Sequence, residues 1–183
     1  MKLEEIQETI TLPEGVTASY EQEHHTLTLK GEKGELSRVF FHPRLLLRVD
    51  GQTITLTSRK ATLREKKTLF TFASHIRNMV TGVSEGYTCK LKVCSGHFPM
   101  SVAVKGDRFE VKNFIGEKVP RTLTLKPGAD VAVNGTEITV TGCDKELVGQ
   151  IAADIEQLTR RPGFDSRIFQ DGIFIVEKAG KHT

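Results

Sequence analysis

No apolar run in this 183-residue chain approaches the roughly 20 residues that a membrane helix needs, so no span is expected. Three cysteines, an odd number in a chain of this length, do not make a disulfide framework. The opening MKLEEIQETI is mixed and acidic and carries no visible secretory or transit signal. A reducing cytoplasm is the expected location. Also missing are a G-x-S-x-G elbow, a Walker loop, an H-E-x-x-H pair and a Rossmann fingerprint, which removes the usual marks of hydrolases, nucleotide enzymes and zinc proteases. Charge of one sign is scarce as well. There are 12 basic against 10 acidic residues up to Gly82 and 14 against 13 beyond it, so any polyanion footprint has to come from local clustering.

What the chain does contain is a repeat. Val49 to Thr57, VDGQTITLT, returns as Val133 to Thr141, VNGTEITVT. Each copy ends an apolar run, turns on Asp-Gly or Asn-Gly, and then alternates apolar residues with threonine. Such dipeptides are strong hairpin signals, because a type I′ turn needs positive φ at both central residues. An amphipathic helix pattern follows each copy. A self-match with matching flanks predicts an internal duplication, two versions of one α+β unit. The fold class expected is α+β, two tandem units, each a mostly antiparallel sheet packed on one helix. The expected domains are residues 1–82 and 83–183.

Period-2 alternation places strands around Val16 to Tyr20, Thr26 to Lys30, Leu45 to Thr57, Tyr87 to Cys94, Met100 to Lys112 and within Arg167 to Lys178. Leu69, Phe72, Ala73, Ile76, Met79 and Val80 share one helical face; Thr62 with Glu65 has capping-box spacing, and Gly82 is the expected stop. Asp144 is the expected N-cap of a second helix bearing Leu147, Ile151, Ile155 and Leu158, ended by Pro162.

Cys89, Cys94 and His97 suggest a metal at first sight. A spacing of five puts the two thiols on opposite faces of a strand, and no fourth ligand is near, so neither metal nor cofactor is expected. The histidines and carboxylates form no catalytic constellation, and an enzyme is not expected. Two basic clusters remain. Arg59, Lys60, Arg64, Lys66 and Lys67 occupy the loop expected before the first helix, where a merely solvated face explains them equally well. Arg160, Arg161, Arg167, Lys178 and Lys181 surround the end of the second helix and the last strand. The second cluster is denser relative to its acids and is interspersed with Gly163, Gly172 and Gly180, which let a backbone approach phosphate. Those five, with Lys112, Lys118 and Arg121, are the candidate RNA contacts, and the four around Pro162 and Lys178 are expected to converge on one end of the second unit.

The segment RIFQDGIFIVEK, Arg167 to Lys178, resembles the C-terminal signature of the large-subunit ribosomal protein L-six family in its archaeal and eukaryotic branch. SHIRNMVTGVSEGY, GHFPMSV and VKNFIGEK resemble family stretches at the right relative positions, so the resemblance covers almost the whole chain. It implies two tandem α+β units, no catalytic residues and no cofactor. It also implies a structural component that binds large-subunit rRNA, mostly through its C-terminal half, near the base of the lateral stalk and the sarcin–ricin loop. The partners implied are rRNA, neighbouring ribosomal proteins and translational GTPases docking nearby, with neither membrane nor DNA among them. The rival from another class is a protein–protein adaptor that pairs through a free sheet edge.

Overall fold

The computed structural model describes residues 3–96, 98–165 and 167–180, and the chain falls into two compact units, 1–86 and 87–183. The first unit holds strands β1 (Leu3–Thr11), β2 (Thr17–Glu21), β3 (Thr26–Gly31), β4 (Gly34–Val39), β5 (Leu46–Asp50) and β6 (Thr53–Ala61), then helix α1 (Leu63–Ser84). The second holds β7 (Tyr87–Cys94), β8 (Ser101–Lys105), β9 (Arg108–Lys112), β10 (Arg121–Thr124), β11 (Ala129–Asn134) and β12 (Glu137–Gly142), then α2 (Lys145–Leu158) and β13 (Gly172–Glu177).

Each unit has two small sheets rather than the single sheet expected. They are β1-β6-β5 and β2-β3-β4 in the first, β11-β12-β7-β13 and β10-β9-β8 in the second, all antiparallel. The difference lies in the meanders: β2-β3-β4 and β8-β9-β10 pair within themselves, completed at their edges by β4 (GELSRV) and β10 (RTLT), and form a second sheet beside the one that holds the duplicated hairpin. One helix then covers both sheets of its unit. In the first unit Leu69, Ala73, Ile76 and Met79 of α1 meet Leu27 and Leu29 of β3 and Ile54 and Leu56 of β6 in one core. In the second, Val148, Ile151, Ala152 and Ile155 of α2 meet Leu91, Phe109, Ile138 and Val140. Fully burying each such side chain is worth about 1.5–3 kcal/mol, so these faces dominate the stability of each unit.

The duplicated hairpins are present as β5-β6 and β11-β12, with the turns displaced by one residue from the expected frame. Asp50 pairs with Thr53 and Asn134 with Glu137, so the loop residues are Gly51-Gln52 and Gly135-Thr136. Of these loop residues only the glycines have positive φ, 59° and 61°. That is the pattern of a II′ turn, with glycine in the first central position, and not of I′.

Thr62 caps α1 and the capping box with Glu65 forms, but Gly82 does not end the helix. Gly82 is buried and helical. The chain leaves the helix only at Gly86, which takes φ 81° and returns its N–H to Thr81 O (3.2 Å). The units therefore part four residues later than the Gly82 stop would place the division. Arg64, Lys66 and Lys67 lie in the helix that the Thr62 capping box opens, and Arg59 and Lys60 lie at the end of β6.

Candidate nucleic-acid interface

In the second unit the chain after α2 is held in place by the helix itself. Thr159, buried at the helix C-cap, accepts the Ile173 N–H on its Oγ1 (2.9 Å), and Glu156 Oε1 accepts the Ile175 N–H (3.0 Å). Two N–H groups on β13 are thereby satisfied by helix side chains, so this edge strand is partly covered. Asp171 accepts a hydrogen bond from the Gly96 N–H, which ties the start of β13 to the chain leaving β7. Asp171-Gly172 is thus a strand-entry latch and not a hairpin turn.

Arg121 organises the same end of the unit. Its Nε and Nη2 donate to the two oxygens of Glu117 (2.8 and 2.7 Å), and its Nη1 donates to Leu158 O (2.7 Å) and Arg160 O (3.4 Å). The guanidinium carbon lies 4.4 Å from the centroid of Phe114. Leu158 is the last residue of α2, so Arg121 brings a cation to the negative end of the helix dipole and satisfies an orphan carbonyl there. The hydrogen bonds from Arg121 hold the Glu117 carboxyl below the usual carboxylate range, and Arg161 assists from a distance. Arg121, a candidate RNA contact by sequence, is thus committed inside the protein, where it positions the helix end.

Arg160 and Arg161 emerge exposed beside this clamp. Arg160 Nη1 makes a weak bond to Gln157 Oε1 (3.4 Å), and Arg161 lies 4.3 Å over the ring of Phe164. Phe164 in turn meets Phe169 edge-on, with centroids 5.0 Å apart. Lys118 is exposed in the connection leading to β10, and Lys112 ends β9 one residue past Val111, the partner of Arg121. Lys112, Lys118, Arg160 and Arg161 therefore share one end of the unit. Arg167 belongs to the same 160–171 segment but is held bidentately by Asp165 (3.1 and 2.8 Å). Each partner shifts the other in the expected sense, the Asp165 carboxyl down and the Arg167 guanidinium up. The sequence reading passed over the aromatic component. Two phenylalanines in a Pro-Gly-Asp segment that forms no strand were the available signal.

Lys178 does not join them. β13 starts beside Thr159 and runs back along α2 toward its beginning, where a Cβ on Gly180 would lie 3.0 Å from Lys145 Cε. A 14-residue helix is roughly 20 Å long, and that length separates Lys178 from Arg160. Expected convergence fails here because nearness to the helix end in sequence does not give the direction of the returning strand. Lys181 lies outside the described residues, as does His97. Cys89 and Cys94 are on opposite faces of β7; Cys89 is buried and donates its thiol to Glu177 O (3.0 Å), and burial raises its pKa. Among the described residues no three His, Cys, Asp or Glu side chains come close enough to hold a metal.

A family model for ribosomal protein L6 matches the chain twice, over residues 12–86 and 98–172. Each match opens at a meander and closes at or beyond its helix. The large ribosomal subunit protein uL6 of Methanosarcina mazei is 44% identical over 177 residues, covering 97% of this chain and 99% of the relative. The protein of the same name from Haloarcula marismortui is 44% identical over 172 residues, covering 94% and 96%. That of Methanocella arvoryzae is 43% identical over 180 residues, covering 98% and 100%.

Proposed function

The chain belongs to the ribosomal protein L6 family, and we propose that it holds large-subunit rRNA through the end of its second unit where Lys112, Lys118, Arg160 and Arg161 gather. It is a structural constituent of the large ribosomal subunit in the cytoplasm and not an enzyme. The resemblance in the C-terminal signature supports a contact near the base of the lateral stalk and the sarcin–ricin loop, among neighbouring ribosomal proteins and close to where translational GTPases dock.

One observation carries the assignment of the surface. The 160–171 segment has no counterpart in the first unit, where α1 leads directly out through Gly86, and it brings exposed arginines and an exposed aromatic pair to a rigid helix end. Arginines reach phosphate oxygens as a planar fork, and exposed rings accept unpaired bases. Arg121 and Glu117 act underneath as positioning groups. Arg167 contributes once phosphate competes with Asp165 for its guanidinium. Lys178 stands apart from this group. The adaptor reading loses ground at β13, whose Ile173 and Ile175 N–H groups are already taken.

The test uses the full chain and archaeal large-subunit rRNA. Each phosphate neutralised steepens the fall of log affinity with log salt by roughly 0.7–0.9. Replacing Lys118, Arg160 and Arg161 with glutamate should flatten that slope by about two units while the thermal midpoint holds. Replacing Lys178 with glutamate should change it by less than one. An unchanged slope in the triple variant overturns the assignment.

A further inference from the structure

The first unit carries five exposed cations with no visible structural purpose: Arg59 and Lys60 at the end of β6, and Arg64, Lys66 and Lys67 at the start of α1. Among the described residues, none of these side chains has a hydrogen bond or an ion pair. Glu5 faces Arg59 across the β1-β6 ladder without pairing. Glu65, the acid among them, is buried and spent on the Thr62 hydroxyl and N–H and on Arg44. Arg64 and Lys66 sit in the first turn of α1, where the positive end of the helix dipole repels cations. Lys60 takes φ 53°, a left-handed conformation unusual for a long side chain. Helix stability, strand geometry and internal pairing all fail to account for this set, and an external polyanion does.

A second feature lies in the same place. Leu63, 65% exposed, and Phe70, 39% exposed, share a helical stripe with Lys67 and, together with Lys66, Thr71 and Ser74, line an open groove of about 640 Å³ on the outer face of α1. Phosphates alone have no use for an exposed leucine and phenylalanine. A strand with unpaired bases does, because a base or ribose can lie on Phe70 while its neighbouring phosphates reach the cations.

We infer that the start of α1 with the end of β6 forms a second RNA-binding surface, which takes a single-stranded stretch by its phosphates at Arg59, Lys60, Arg64, Lys66 and Lys67 and by one base against Phe70. The inference rests on the reading of the chain as an rRNA binder, but its surface and its test are separate from those of the second unit.

The experiment uses the full chain, archaeal large-subunit rRNA and two variants. Arg64→Glu, Lys66→Glu and Lys67→Glu combined should flatten the salt slope by about two units. Those reversals put acids at the helix start, where the dipole favours them, so the thermal midpoint should hold or rise and unfolding cannot mimic the result. Phe70→Ala should weaken binding about tenfold with the slope unchanged, since a base stack carries no charge. Photocrosslinking with 4-thiouridine-substituted rRNA should label the peptide that contains Phe70. If the helix triple keeps the slope while the Lys118, Arg160 and Arg161 triple flattens it, the inference falls and the proposed function stands. If the helix triple binds free rRNA normally but fails to join large subunits, an acidic protein segment occupies the groove, which also overturns the inference. If neither triple alters the slope, both readings fall.

Discussion

The two units lay six strands and a helix in the same order, the second adding β13 after its helix, and they close the C-terminal end of the helix in different ways. β1 and β7 each pair with the second strand of the duplicated hairpin, a three-stranded meander follows, and one helix covers both sheets. In the first unit the meander turns from β3 to β4 through Glu32 and Lys33 alone, and the Lys33 N–H donates to Val83 O (3.0 Å). In the second the same connection lengthens into Asn113 to Pro120, and the guanidinium of Arg121 donates to Leu158 O. A backbone donor needs the turn pressed against the helix. An arginine reaches across and leaves room for the chain to continue outward as the 160–171 segment. The copy with the side-chain clamp is thus the one able to present Arg160, Arg161 and Phe164.

The comparison breaks most severely at Gly31. A Cβ there would lie 2.5 Å from Val83 O and 2.9 Å from its carbon, both backbone atoms that cannot move away cheaply. Gly31→Ala should therefore cost the first unit about 3 kcal/mol, read as a lowered urea midpoint. In the second unit Asn113 follows the end of β9, the middle strand of its meander, at φ 59° with its side chain donating to Pro99 O (3.0 Å). No such close approach is required there, and Asn113→Ala should cost about 1 kcal/mol.

Arg121→Met keeps the stem and removes the fork, so it tests the other clamp. Loss of the Glu117 pair and the bond to Leu158 O should cost the second unit about 2 kcal/mol and leave the first unchanged. A double-mutant cycle with Glu117→Gln reads the coupling directly. The pH response has a fixed sign. The lowered Glu117 carboxyl stabilises the unit fully above its ordinary range and gives that up as pH falls through its folded value. In Arg121→Met that acid-side loss should shrink, as followed by urea midpoints against pH.

How much of this was legible in advance varies with the distance between partners. The duplication, the Thr62 and Asp144 caps and the inward helix faces are local patterns, and they stand as the sequence suggests. Gly82 misleads because it suits a helix stop, whereas packing keeps it buried and helical until Gly86 turns the chain. Arg121 could not be recognised as a clamp, since its acceptor on Leu158 is 37 residues away and only the fold joins them. Lys178 was misplaced for the complementary reason. Six strand residues carry it the length of α2, and a charge count along the chain has no direction in space.

Acid sharpens the difference between the helix starts. Hydrogen bonds from the Thr62 hydroxyl and then the Thr62 N–H bring the Glu65 carboxyl from the ordinary 4.5 down to about 2, with Arg44 helping. A lowered carboxyl stabilises above its unfolded value, so the start of α1 should loosen as pH falls from about 4.5 toward about 2. Amide exchange of the first turn of α1 should accelerate across that window. Glu65→Gln should flatten the response and leave the start of α2 as it was.

The smallest expected effect tests whether the repeated turns are equivalent. Gly51 and Gly135 have φ of 59° and 61°, each in the first loop position of a two-residue hairpin, and an added Cβ would meet nothing within 4 Å at either. Alanine at these positions loses no contact and suffers no clash. Its cost is the positive φ alone, about 1 kcal/mol at each site. Gly51→Ala and Gly135→Ala should therefore lower the urea midpoints of their own units by matching free energies, with rRNA affinity and salt slope unchanged. A markedly larger loss at one site would mean that the two turns differ beyond their φ values. Lost rRNA binding in Gly135→Ala with stability retained would make that turn a contact site and detach it from its structural twin.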